Sequence, residues 1–107
     1  MRYQVVPMEM SRFQRLLKGQ LKLTLENDRK FKEGDCVIFQ ETHAGKVSYF
    51  TGRAIAHIIT SIQTKPTGHM MLLNGHCLLN LRILTEAEEE MYHPVIDRLA
   101  TFKLRGA

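Results

Sequence analysis

Polar and apolar positions alternate with different periods along this chain, and each change of period marks a predicted element. Leu21, Leu23 and Leu25 alternate with Lys22, Thr24 and Glu26. That is the period-two pattern of a strand with one apolar and one polar face. Just upstream, Met10, Phe13 and Leu17 repeat at helical spacing, with Leu16 beside them, while Arg12, Arg15 and Lys18 fall on the other side. The spacing predicts a helix ending near Lys18. Gly19 suits the position after it, because glycine takes positive φ without a Cβ penalty, and Lys18 suits the negative end of the dipole. The start of that helix has two readings, either Pro7 as its first residue or a capping box of Ser11 with Gln14. Pro7 accordingly stops the extended run Arg2 to Val6 or opens the helix.

Downstream the pattern is almost wholly β. Asn27 and Asp28 read as a turn, Phe31 as a residue tucked into the core, and Glu33-Gly34-Asp35 as a tight turn. Cys36 to Phe39 is apolar on both faces and predicts a central strand. Residues 42 to 48 read as a hairpin loop. Residues 49 to 62 form a long β pattern in which Gly52 marks a bulge or a close backbone approach. Residues 65 to 68 form a turn, 70 to 73 a short strand, and Asn74-Gly75 a hairpin turn into a returning strand at 76 to 84. Thr85 with Glu88 forms a capping box, which predicts a helix. Met91, Val95 and Leu99 form its core stripe, flanked by Tyr92 and Ile96, and Pro94 kinks or divides it. The last residues, 101 to 107, look frayed.

The sum predicts an α+β fold, mainly β. It is a small bent sheet or pseudo-barrel of about five or six mostly antiparallel strands, with a helix after the first strand and another at the C-terminus. The chain has 107 residues, enough for one domain. Its core is expected over 2–84, with a helical extension over 85–100.

Composition changes this picture little. Hydrophobic residues make up 44% and charged residues 24%, ordinary values for a globular domain. No apolar run approaches the roughly 20 residues of a membrane span, and the first ten residues lack a signal-peptide pattern. The expectation is a cytoplasmic protein without a membrane partner. Cys36 and Cys77 sit in apolar strand patterns and read as buried free thiols, with a disulfide between neighbouring strands as the alternative.

Charge is uneven. Residues 1 to 32 carry eight basic and three acidic side chains, a balance of +5, and residues 85 to 107 carry three and five, a balance of −2. An anionic partner would therefore meet the N-terminal third, unless the basic face is simply solvated. Lys22, Thr24 and Glu26 line up a cation, a hydroxyl and a carboxylate, which suits acid–base chemistry, or else an ordinary solvated face with an ion pair across it. Arg29 either pairs with Asp28 or reaches a phosphate. Arg53 follows Gly52, and its planar fork suits phosphate or a base edge; the alternative is a salt bridge to Glu41 or Asp35. Tyr49 and Phe50 offer a stacking platform or strand packing. His43, His57, His69, His76 and His93 show no metal-ligand spacing, so neither a metal nor another cofactor is expected. His57 reads as a core or edge residue.

Several of these motifs stand in a particular order. Asn27-Asp28-Arg29-Lys30-Phe31-Lys32-Glu33-Gly34-Asp35 precedes an apolar strand ending in Gln40-Glu41, and Phe50-Thr51-Gly52-Arg53 follows. With the helix ending in Gly19 and the polar-faced strand after it, this order resembles the ASCH domains of the PUA-like superfamily. It most resembles a small phage and bacterial subgroup of unknown function, over residues 5 to about 84. The resemblance implies a PUA-like pseudo-barrel with a cleft beside residues 19 to 29, a place proposed to bind RNA or a modified nucleoside. It also implies, for some members, an acetylcytidine amidohydrolase that uses a Lys, a Thr and a Glu. Thr24 occupies the Thr position. Leu21 occupies the Lys position, with Lys22 one residue late, Glu26 stands where an Arg is usual, and the later insertion that carries the Glu is missing.

The function expected is thus an RNA or nucleotide binding module. Arg12, Arg15, Lys18, Lys22, Arg29 and Lys32 would hold phosphate, with a base near Thr24, Glu26, Phe50 and Arg53. Two alternatives remain. One is a small hydrolase of an acylated nucleoside using Lys22, Thr24 and Glu26. The other is a protein-binding module that uses the acidic C-terminal helix, from Glu86 to Glu90, which also reads as a solvated helix start.

Overall fold

The computed structural model describes residues 2–27, 30–43, 49–65, 72 and 74–99. Their order is β1 (Tyr3–Glu9), α1 (Met10–Leu17), β2 (Lys22–Glu26), β3 (Cys36–Thr42), β4 (Phe50–Gln63), β5 (His76–Ile83) and α2 (Glu86–Leu99). The fold is α+β and mainly β. One five-stranded sheet, ordered β1-β3-β4-β5-β2, curls into a half-barrel. Three of its four pairings are antiparallel; β1 runs parallel to β3. The first and second strands in sequence therefore form the two edges.

Each helix covers one side of the sheet. On the α1 side, Phe13 and Leu16 pack with Val6, Met8, Leu23, Phe31, Val37, Phe39, Ile59, Cys77, Leu79 and Leu81. On the α2 side, Tyr92 packs with Cys36, Ile38, Ala54 and Ile58. β3 is buried on both sides, as its unbroken apolar run predicts. The two cysteines are buried and free, one in each core. Burial, with Glu88 and Asp35 nearby, pushes the Cys36 thiol up to about 12, so it stays protonated and inert.

Pro7 neither stops the first strand nor opens the helix. It lies inside β1, opposite Gln40. An edge strand tolerates proline where the missing N–H faces away from the neighbour. The helix starts at Met10, and the Ser11 hydroxyl donates to the Glu9 carboxylate at 2.9 Å instead of forming a capping box with Gln14. Met10 is exposed, so the buried stripe of α1 is Phe13 and Leu16, with Leu17 packed against it. Gly19 ends the helix at φ 100°, with Gln20 N–H donating to Arg15 C=O at 3.0 Å.

The predicted capping box of α2 is present. Glu88 N–H donates to Thr85 Oγ1 at 3.2 Å, and Thr85 N–H donates to Glu88 Oε1 at 2.9 Å. A bidentate Arg82 draws the Glu88 carboxyl down to about 2, aided by the Thr85 amide. Pro94 does not divide α2, which runs unbroken to Leu99. Met91 points to solvent; Tyr92 fills the core position expected of it, with Val95, Ile96 and Leu99 behind. The strand expected at 70 to 73 lies outside the described residues apart from Leu72, as do residues 44–48 of the expected hairpin loop at 42–48 and residues 66–68 of the expected turn at 65–68.

Candidate nucleic-acid interface

β2 positions the residues of interest because it is an edge strand whose alternation sorts them cleanly. Leu23 enters the α1-side core. Lys22, Thr24 and Glu26 must then point to the opposite side of the sheet. There they stand exposed, opposite Asn80, Leu78 and His76 of β5. Asn80 Nδ2 in turn donates to Ser61 Oγ on β4 at 2.8 Å. No ion pair joins Lys22 to Glu26 among the described residues. The row is an open polar sheet face.

The outer edge of β2 faces α1 and is held by one side chain from α1 and one from the segment that follows it. Arg12 Nη2 donates to Thr24 C=O at 2.5 Å, and Gln20 Nε2 donates to Lys22 C=O at 2.5 Å. These bonds occupy carbonyls that an edge strand would otherwise leave open. Met8, Arg12, Arg15, Leu16, Gln20 and Leu23 line a small notch at this seam, with room for about one water molecule. Arg15 and Lys18 are exposed beside it. Arg12, Arg15 and Lys18 thus stand along the seam between α1 and the start of β2, and Lys22, on the opposite face of β2, stands at its edge.

These four cations differ from three arginines elsewhere. Arg2 pairs with Asp35 at 3.1 Å, Arg53 with Glu41 at 2.8 Å and Arg82 with Glu88 at 2.7 Å. None of the four seam cations has a carboxylate partner among the described residues. α1 carries no acid in its first turn.

Arg53 lies on another part of the α1 side, at the bulge of β4. Gln40 pairs with Ala54 and Thr42 with Phe50, so β4 spends two more residues than β3 between those pairs. Gly52 sits in that bulge at φ 95°, where a side chain would be strained. Arg53 Nε and Nη2 each donate to Glu41 at 2.8 Å, and Thr51 Oγ1 donates to Glu41 Oε1 at 2.6 Å. Glu41 is 1% exposed. Its carboxyl is held below the ordinary range, chiefly by the Arg53 hydrogen bonds. The guanidinium also stands over the Phe13 ring, 5.3 Å from its centroid. Of the two readings of Arg53, the ion pair is the one present, with Glu41 as partner.

The other expected site residues are dispersed. Lys32 is exposed in the turn before β3, where its N–H donates to Asp35 Oδ2 at 3.1 Å. Tyr49 and Phe50 are both exposed at the start of β4. Asp28 and Arg29 lie outside the described residues. Lys22, Thr24 and Glu26 do not share a pocket with Arg53, since they occupy opposite sides of the sheet. Among the described residues no cluster of three or more His, Cys, Asp or Glu side chains is placed to hold a metal, and no helix is long and apolar enough to cross a membrane.

His57 is a second buried polar group, 1% exposed. It pairs with Val37, which pairs in turn with Gln4. Phe39 meets its ring edge-on, with centroids 5.9 Å apart. Neither His57 Nδ1 nor Gln4 Nε2 has a hydrogen-bond partner among the described residues. Burial alone lowers the imidazole to about 4, so it is neutral in the folded chain at pH 7.

Sequence reasoning did not single out Gln20 or Thr51. Thr51 was legible only as part of the Phe50-Thr51-Gly52-Arg53 motif, and Gln20 carries no motif at all.

Compared with known proteins, residues 6–81 match a family described as a domain of unknown function, DUF3850. That span runs from β1 into β5 and leaves α2 outside. No curated protein matches the chain.

Proposed function

The chain belongs to the DUF3850 family, and from the geometry of its seam we propose a module that binds single-stranded RNA through the phosphate backbone. Arg12, Arg15, Lys18 and Lys22 form the phosphate-binding strip. The carrying observation is that these four cations have no carboxylate partner among the described residues, while Arg2, Arg53 and Arg82 are each paired. A cation with no carboxylate partner keeps its full field for an anion from outside. The notch at the seam is too small for a nucleoside, so contact there runs along a surface. The resemblance of residues 5 to 84 to ASCH domains supports the choice of RNA as the polyanion. Thr24 and Glu26 share the face of β2 that carries Lys22 and would meet bases or sugars.

Binding of this kind is steeply salt-dependent, because each phosphate contact releases counterions. With four contacts to a single strand, affinity for a short oligouridylate falls about a hundredfold between 50 and 300 mM salt. The double variant Arg15→Glu/Lys18→Glu weakens binding at the lower salt by about tenfold or more. A fluorescence anisotropy titration reads both. Absence of binding at 50 mM salt, or equal affinity in the double variant, overturns the proposal.

A further inference from the structure

The two edges of the sheet are treated differently. The β2 edge is held by Arg12 and Gln20. The β1 edge is not. Cys36 N–H donates to Arg2 C=O at 3.1 Å, and Tyr3 is in register with Cys36. The backbone groups of Arg2, Gln4, Val6 and Met8 therefore turn toward β3, and those of Tyr3, Val5 and Pro7 turn outward. Pro7 has no N–H to offer. Tyr3 and Val5 each present an N–H and a C=O that no described residue meets.

The same residues border a groove. Tyr3 and Val5 stand on the α2 side of the sheet. With Val95, Arg98 and Leu99 they line a depression of about 260 Å³. Its α2 wall is fixed by Gln40 Nε2, which donates to Leu99 C=O at 3.3 Å. The walls are mostly apolar. Arg98 is exposed at the rim and has no carboxylate partner among the described residues.

We propose that this edge and groove receive an extended peptide bearing a carboxylate, added to the sheet beside β1. Main-chain bonds to Tyr3 and Val5 supply the pairing. Every second side chain enters the groove, and the acid meets Arg98. Backbone pairing favours this partner over a second copy of the chain. In an antiparallel pairing of two β1 strands about Val5, Tyr3 would face Pro7, whose missing N–H leaves the Tyr3 carbonyl unanswered. The site is separate from the α1 seam and does not depend on it.

The test is display selection from a random peptide library against the whole chain, with Val5→Pro and Arg98→Glu selected in parallel. Val5→Pro removes an outward N–H without breaking a ladder bond, and its fold is checked by its unfolding midpoint. Arg98→Glu touches no backbone and carries the comparison alone if the proline variant fails to fold. Peptides with alternating apolar residues and an Asp or Glu should enrich about tenfold or more on the wild type over Arg98→Glu. They should bind unchanged to Arg15→Glu/Lys18→Glu. No enrichment, equal enrichment on the variants, or enrichment of acid-free peptides overturns the proposal. So does a dimer that Val5→Pro abolishes, which would assign the edge to a second copy. Peptide binding that appears only in Phe102→Ser/Leu104→Ser would assign the groove to the chain's own C-terminal segment.

Discussion

Replacing Arg53 by alanine is expected to lower the free energy of unfolding by about 3 kcal/mol or more, the cost of leaving a buried charge without its partner. Glu41 is 1% exposed and takes both Arg53 bonds at 2.8 Å. Thr51 satisfies one further lone pair, but a hydroxyl cannot neutralise the charge. The loss corresponds to a fall in Tm of about 12 °C or more for a domain of this size. The double variant Arg53→Leu/Glu41→Leu should recover most of it, because it removes both the charge and the need for a partner. Thermal and urea unfolding of the two variants decide the matter. If Arg53→Ala costs less than about 1 kcal/mol, the pair is behaving as an exposed salt bridge and does not hold the β3–β4 bulge.

Acidification is expected to weaken the fold through His57. The imidazole has its ordinary value of 6.5 in the unfolded chain and about 4 in the fold. Between those values the unfolded chain binds more protons than the native one, so stability falls as pH falls across that window. By pH 4 the loss approaches about 3 kcal/mol. Above pH 6.5 both states are neutral and the effect vanishes. Glu41 acts in the same direction at lower pH: its depressed carboxyl stabilises the fold above its unfolded value of 4.5, and that stability is lost as pH drops through its folded value. His57→Leu should therefore flatten the decline between pH 6.5 and 4 and leave the part due to Glu41. Its cost at pH 7 should be small, since the Nδ1 it removes has no partner among the described residues. Urea midpoints at pH 7 and pH 4 for both chains make the comparison. An equal decline in His57→Leu would place the titrating group elsewhere.

The sequence made β2, β3, the end of α1 and the start of α2 legible because each rests on a local rule. Leu23 between Lys22 and Thr24 fixes a face. Cys36 to Phe39 permits burial on both sides. Thr85 with Glu88 is a cap that needs no tertiary partner. What escaped depends on strand order. Nothing in Tyr3 to Glu9 says that it will pair in parallel with β3 and become an edge, and only an edge lets Pro7 sit inside a strand. Met91 lost its place to Tyr92 by one residue, a rotation of α2 that packing against Ile38 and Ala54 decides. The candidate site was legible in composition, since the cations of α1 cluster in the sequence. That Lys22, Thr24 and Glu26 would face away from Arg53 was not. It follows from the register of β2 with β5, a long-range fact. The β1 groove was invisible for the same reason, because its walls lie 90 or more residues apart in the chain.

The most direct test of the central claim is where RNA touches the chain. In an amide chemical-shift titration with a short oligouridylate at 50 mM salt, shifts should concentrate on Arg12, Arg15, Lys18, Gln20 and Lys22 and vanish at 300 mM. Shifts centred on Arg53 and Phe50, on the α2 groove, or nowhere would contradict it.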